Sequence, residues 1–213
     1  MKVLVTGFQP FGKDTMNPSF EAVKLLPDEI MGAQIIKREI PVVFRKGGAV
    51  VAEAVREVKP DIVILVGQAG GRTAMTPERV AINCEDCAPS FPDNEGNAPQ
   101  GEKIAADGPD AYFATVPVKA MVQKMLDNGV PAAVSNTAGT YVCNDLMYHL
   151  LHLLHNEFPN VRGGFIHVPY ATIQNYPKFA SMTLEEMARG LRLSIEACIE
   201  NENDIAAAGG STH

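Results

Sequence analysis

Basic residues are scarce in this chain, and none of them cluster. It carries 18 Lys and Arg against 25 Asp and Glu in 213 residues, a net charge of -7. That balance excludes nucleic acid and anionic membrane as main partners, because both recruit proteins through Lys/Arg patches. Long apolar runs are missing too; charges interrupt each one before it reaches the length of a membrane span. The opening Met1-Lys2-Val3-Leu4-Val5-Thr6-Gly7 is too short for the apolar region of a signal peptide, and no cleavage site follows. The expectation is a cytoplasmic protein with reduced thiols. Nucleotide-binding motifs are also absent: Gly7-Phe8-Gln9-Pro10-Phe11-Gly12 is not G-x-G-x-x-G, and no Walker lysine follows a glycine loop. Cys84-Glu85-Asp86-Cys87 is a C-x-x-C without a second pair to complete a zinc site. Two incidental thiols in an acidic loop is the reading preferred over half a metal site or a redox pair. Neither metal nor organic cofactor is expected.

The remaining composition is that of a globular protein, with 46% hydrophobic and 20% charged residues. With neither linker nor internal repeat, residues 1–200 read as one domain, and the small, polar residues 201–213 as a disordered tail. Residues 2–7 form a buried strand that runs into a turn. Asn17-Pro18-Ser19 is a helix entry, with Asn17 or Ser19 as cap. Residues 34–43 predict a strand ending near Pro41, and residues 48–58 a helix with apolar positions at helical spacing. The continuous apolar run 61–67 fits a strand covered on both faces. Residues 68–110 hold most of the turn formers; so long an irregular stretch is functional or partly β-hairpin. A helix at 118–128, a short strand at 132–136, a helix at 145–158, a strand through Gly163-Gly164-Phe165-Ile166-His167-Val168-Pro169 and a helix at 183–200 complete the order. Thr183 and Glu186 form the last helix's capping box. Alternating strands and helices predict an α/β class around a largely parallel sheet, with ligands beyond the strands' carboxyl ends.

Cys143 ends a small-residue loop, Ser135-Asn136-Thr137-Ala138-Gly139-Thr140-Tyr141-Val142-Cys143-Asn144, just before a helix. Unpaired N–H groups and the helix dipole at such a position favour an anion, so a lowered thiol pKa and an exposed sulfur are expected. The competing reading is a buried structural cysteine. A cysteine nucleophile needs a base and a group to orient that base. His167, at a strand end between Gly164 and Pro169, is the candidate base, or else a core histidine with satisfied nitrogens. Glu78, beside Pro77 and before an apolar run, is the candidate orienting group; a salt bridge to Arg72 or Arg79 is its alternative. His149, His152 and His155 recur every third residue along one helix. They suggest a metal ladder, but their positions rotate apart, and a solvated polar stripe is preferred. Cys198 falls on the apolar side of the last helix and reads as packing, or as a bridge between subunits if exposed.

Several spaced motifs together resemble the pyroglutamyl peptidase I family, cysteine peptidase family C15. They are Thr6-Gly7-Phe8-Gln9-Pro10-Phe11-Gly12 with Asn17-Pro18; Gly67-Gln68-Ala69-Gly70-Gly71-Arg72 leading into Thr76-Pro77-Glu78-Arg79-Val80-Ala81-Ile82-Asn83; the Cys143 loop; and Phe165-Ile166-His167-Val168-Pro169. The resemblance runs from about residue 2 to the last helix. It implies a three-layer α/β/α sandwich around a mixed, largely parallel sheet, phosphorylase/hydrolase-like, and a homo-oligomer, dimer or tetramer. It also implies a Cys143–His167–Glu78 triad that cleaves N-terminally pyroglutamyl-blocked peptides through a thioacyl-enzyme. The pyroglutamyl ring is a neutral lactam, so its site needs apolar walls and few polar contacts. By resemblance Phe8 and Phe11 sandwich the ring, and Asn17, Gln68 and the Val142 backbone meet its polar atoms. Two rival readings are a nucleoside phosphorylase-like protein, discriminated by phosphate-dependent activity, and a non-enzymatic binding module, discriminated by an unreactive Cys143.

Overall fold

The computed structural model describes residues 1–210. Its first half contains strand β1 (Lys2–Phe8), helix α1 (Pro18–Lys24), β2 (Glu29–Ile30), β3 (Ala33–Ile40), α2 (Lys46–Val58) and β4 (Ile62–Gln68). Short strands follow: β5 (Thr76–Glu78), β6 (Val80–Ile82), β7 (Glu85–Asp86), β8 (Gln100–Glu102) and β9 (Ala111–Phe113). The chain then forms α3 (Val118–Asp127), α4 (Val142–Glu157), β10 (Arg162–Val168), β11 (Tyr170–Ala171), β12 (Ser181–Met182) and α5 (Leu184–Glu200).

One six-stranded sheet, in the order β2-β3-β1-β4-β10-β5, organises the molecule. The β3–β1, β1–β4 and β4–β10 pairs are parallel, while β2 and β5 add antiparallel edges. Strand alternation sorts the core into two halves. Val3, Val5, Ile62, Ile64, Val66, Ile166 and Val168 share one cluster with residues of α1, α3 and α5. Leu4, Phe8, Val63, Leu65 and Phe165 share the other with residues of α2 and α4. The expected three-layer α/β/α sandwich with a mixed, largely parallel sheet is the architecture found. Two-sided burial explains why β1, β4 and β10 read as continuous apolar runs.

Caps set the helix starts. Asn17 Oδ1 accepts from Ser19 N–H at 3.1 Å, and Thr183 Oγ1 accepts from Glu186 N–H at 3.2 Å. Within the turn-rich stretch, β5 joins the main sheet, β7 pairs with β8, and β6 pairs with β9 just beyond its end, both small pairs antiparallel. The strand expected at residues 132–136 is reduced to isolated bridges, Met75↔Ala132 and Glu78↔Ser135. That segment runs beside the three-residue β5, which offers too short an edge for a full ladder.

The tail also departs from expectation over residues 201–210. Asp204 accepts from the backbone N–H groups of Lys119 and Ala120 at 3.0–3.1 Å, serving the first turn of α3, which has no side-chain cap of its own. Arg162 donates to Asn201 O at 2.8 Å, and Arg79 to Gly209 O at 2.6 Å. These anchors, invisible in a small polar composition, hold the segment against the domain; residues 211–213 lie outside the described residues. Among the described residues, no helix is long and apolar enough to cross a membrane.

Candidate active site

Parallel β1, β4 and β10 end on one edge of the sheet, which brings Phe8, Gln68 and His167 together. His167 has the parity of Phe165 and faces the α2/α4 layer, the side from which α4 delivers Cys143. Gly67 is the register partner of His167 on β4. A Cβ there would lie 2.6 Å from Phe165 Cζ and 3.0 Å from Cys143 Sγ. The thiol and the Phe165 ring thus close on a spot that tolerates no side chain, level with His167 on the neighbouring strand. Asn144 fixes the first turn of α4: its Nδ2 donates to Ile82 O and Cys84 O at 2.9 and 3.0 Å, and its Oδ1 accepts from Ile82 N–H at 2.9 Å.

His167 and Glu78 are both buried, with Nδ1 2.7 Å from Oε1. The same Oε1 accepts from Arg72 at 2.6 Å. Arg72 also donates to Thr76 Oγ1, and to Thr137 O at 3.2 Å, in the loop ahead of Cys143. The two roles weighed for Glu78, orienting a histidine and pairing with an arginine, therefore coexist on one oxygen. Arg79 is committed elsewhere, to Asn136 Oδ1 at 2.8 Å and to the tail. Burial pushes the Glu78 carboxyl up, but the His167 hydrogen bond and charge, with Arg72, outweigh it and hold the group below its ordinary value. Burial lowers the imidazole pKa against the pull of Glu78, and Arg72 lowers it further. His167 is accordingly neutral near pH 7. An ionised acceptor at Nδ1 selects the Nδ1–H tautomer and leaves Nε2 as the free base.

The thiol corrects one expectation. Cys143 is only partly exposed, and burial, reinforced by the Glu78 charge and opposed by Arg72, pushes it up to about 12. Desolvation of the thiolate outweighs the helix end that was expected to lower its pKa. The thiol and the imidazole are thus both neutral near pH 7. As second residue of α4, Cys143 still presents a backbone N–H with no intrahelical acceptor.

Beside the sulfur lies a pocket with about 290 Å³ of atom-free space, lined by Phe8, Phe11, Asn17, Val42, Gln68, Tyr141, Val142 and Cys143. All five residues expected to contact a ring therefore converge on it. Asn17 is largely spent on structure: besides its capping Oδ1, its Nδ2 donates to Gln9 O at 2.9 Å. Gln68 is better placed. Its Oε1 accepts from Gln174 at 2.9 Å, which orients the amide and leaves its NH2 for a ligand. Sequence reasoning missed the aromatic cluster that backs two lining residues, where Phe91 packs 6.3 Å from the Phe11 ring and 5.4 Å from Tyr141, and Phe44 stands 5.3 Å from Tyr141. Phe91 sits in the irregular stretch, where nothing local marks its partner; Tyr141 had a signal in its position two residues before the cysteine.

The other candidates disperse. His152 Nδ1 is 3.0 Å from the Tyr112 hydroxyl, and His155 packs against the Tyr112 ring, whereas His149 turns to Asp145. Cys198 is fully buried in the core half built on α1, α3 and α5, which leaves packing as its role.

Comparison with known proteins gives a single answer. A family model described as pyroglutamyl peptidase matches residues 1–201. The pyrrolidone-carboxylate peptidase of Clostridium perfringens (strain 13 / Type A) is 54% identical over 213 residues, 99% of each chain. That of Enterococcus faecalis is 53% identical over 215 residues, 100% of each. The crystal structure of pyroglutamyl peptidase I from Bacillus amyloliquefaciens superposes with a TM-score of 0.94 at 46% identity, covering 97% of this chain and 99% of that one. Pyrrolidone carboxyl peptidase from Thermococcus litoralis gives 0.89 at 38% identity, covering 93% of both.

Proposed function

This chain belongs to the pyroglutamyl peptidase family, and on that premise we propose that it removes an N-terminal pyroglutamyl residue from peptides with Cys143, His167 and Glu78 as its catalytic triad. The observation that carries the reading is the buried His167–Glu78 pair, 2.7 Å apart, behind a cysteine that floors an aromatic pocket. The lactam ring enters between Phe8 and Phe11, and Gln68 donates to its carbonyl. As Sγ attacks the scissile carbonyl carbon, the thiol proton moves to His167 Nε2. The Cys143 backbone N–H stabilises the oxyanion. Collapse breaks the C–N bond, with Nε2 returning the proton to the leaving amine, and a thioester remains. Water then gives a proton to Nε2 and attacks the thioester. The C–S bond breaks, pyroglutamate leaves, and the proton returns to sulfur. Glu78 keeps the imidazole in its tautomer and stabilises its transient charge. Each step uses groups of this chain. Subunits assemble as dimers or tetramers in the cytoplasm, in keeping with the family resemblance.

The test is release of a chromogenic amine from its pyroglutamyl amide, with the glutamyl amide as control. Turnover of the first alone, falling to background in a folded Cys143→Ser protein, is the expected result. Near-native turnover by that variant would remove the assignment.

A further inference from the structure

A second cluster of ionisable groups lies outside the triad and the ring pocket. Asp145 and His149 stand one turn apart on α4, so both project from one helix face. Glu85 on β7 meets them there. Glu85 and Asp145 are fully buried, and one ligand atom from each of the three residues lies within 4.8 Å of the others. Asp145 Oδ1 and His149 Nε2 approach to 3.1 Å, yet neither has a hydrogen-bond partner among the described residues. The imidazole is seated in a notch of α2, where a Cβ on Gly48 would come within 2.6 Å of its Cγ.

Charge is unbalanced at this point. Arg45 donates to Glu85 at 2.7–3.3 Å but shares its half-exposed guanidinium with Glu102 at 2.7 Å. Asp145 receives the Arg45 backbone N–H at 2.9 Å on Oδ2, approaches His149, and lies against the Glu85 carboxyl, whose pKa burial and then Asp145 push up. The guanidinium therefore serves one buried carboxylate and a surface one, and Arg45 reaches Asp145 only through its backbone N–H. Buried carboxylates are stabilised by pairing or by a metal.

We propose that Glu85, Asp145 and His149 bind a divalent cation of the zinc class. Two carboxylates and an imidazole form a donor set that such ions accept, with metal–ligand bonds of about 2.0–2.2 Å. Asp145 and His149 already stand at the spacing of adjacent ligands; Glu85 closes the remainder by a small shift, which the half-exposed Arg45 follows. A cleft lined by Arg45, Glu85, Asn97 and Glu102 reaches the Glu85 end of the cluster. The bound ion ties α4, the helix that presents Cys143, to β7.

Titration of Cys143→Ser protein with Co²⁺, then Zn²⁺, tests the site without the nucleophilic thiol, which ligates both ions. The expected result is one equivalent of Co²⁺ with ligand-field bands and no sulfur-to-cobalt charge-transfer band. A hundredfold excess of Zn²⁺ over Kd should raise Tm by roughly 5–10 °C. Binding should weaken at least tenfold in His149→Gln and in Glu85→Gln. Both substitutions are near-isosteric, and circular dichroism identifies the folded variant on which the comparison rests. The proposal is overturned by no binding to the parent protein, by undiminished binding to a folded variant, or by a sulfur charge-transfer band at the first equivalent, which would move the ion to Cys84 and Cys87.

Discussion

Replacing Glu78 with glutamine separates the two tasks assigned to the carboxylate. The His167 Nδ1 and an Arg72 N–H both converge on Oε1, at 2.7 and 2.6 Å, while Oε2 has no partner among the described residues. A glutamine amide can place its carbonyl oxygen where Oε1 stands and its NH2 in the unpartnered position. Both donors keep an acceptor, and the Nδ1–H tautomer survives. What disappears is the charge. A hydrogen bond to a charged group is worth about 1.5–3 kcal/mol and a neutral one about 0.5–1.5. The difference of about 1–2 kcal/mol falls on the transition state, where the imidazole is cationic, and corresponds to roughly a 5- to 30-fold fall in kcat/KM. The pH profile supplies a second readout. Glu78 raises the His167 pKa while burial and Arg72 lower it, so without the carboxylate the acid limb of kcat/KM moves to lower pH. The assay is turnover of a pyroglutamyl chromogenic amide from about pH 5 to 9. A loss as complete as that of His167→Ala would mean that Glu78 acts by selecting the tautomer. Wild-type kcat/KM with an unmoved acid limb would remove Glu78 from catalysis.

Two further outcomes are expected. Gly67→Ala forces a methyl against Phe165 Cζ at 2.6 Å and Cys143 Sγ at 3.0 Å; it should cost about 1–3 kcal/mol of stability and, by displacing the nucleophile, about 100-fold in kcat/KM, so native kinetics would show that the thiol sits elsewhere. Burial raises the Asp93 carboxyl pKa, but N–H donors from Asn97, Phe44 and Glu95 outweigh it and hold the group below its ordinary value; the unfolded chain then binds more protons, so this stabilisation is full above the ordinary carboxylate pKa and is lost as pH falls through the folded one. Asp93→Asn should melt roughly 3–10 °C below wild type at pH 7, with the gap narrowing toward pH 3; a constant gap would deny the carboxylate its role.

Periodicity carried most of the fold into view, because buried strands and amphipathic helices impose it directly. Residues 61–67 had to be a strand covered on both faces, and two-sided burial is what the sheet gives Ile62 through Val66. The catalytic candidates were legible because strand ends and helix starts are marked by local residues: glycine after β4, proline after β10, a small-residue loop before α4. Other features depend on partners distant in sequence. Asp204 serves α3 across more than 80 residues, Phe91 packs on the Phe11 and Tyr141 rings from an irregular loop, and Glu85 meets His149 only after β7 folds onto α4. The partners of the histidine stripe were hidden for a related reason. Three-residue spacing turns successive side chains apart: His149 meets Asp145, while His152 and His155 share the Tyr112 ring. The thiol pKa is a balance of opposed effects, and its sign depends on burial depth, which the loop sequence does not encode.

The distribution of charge within the site bears on its choice of substrate. The residues that line the ring pocket include no ionised side chain; Glu78 and Arg72 lie behind His167 instead. An unblocked N-terminus would bring an ammonium group into those apolar walls without a carboxylate to receive it, and desolvating an unpaired charge costs several kcal/mol. A lactam brings only a neutral N–H and C=O, which Gln68 and backbone groups can satisfy. If the ring binds here as proposed, discrimination between pyroglutamyl and glutamyl amides arises chiefly from what the pocket withholds. A carboxylate introduced at its wall, as in Val42→Asp, should reduce kcat/KM for the pyroglutamyl amide while narrowing its advantage over the glutamyl amide. An unchanged ratio of the two kcat/KM values would place the selection outside this pocket.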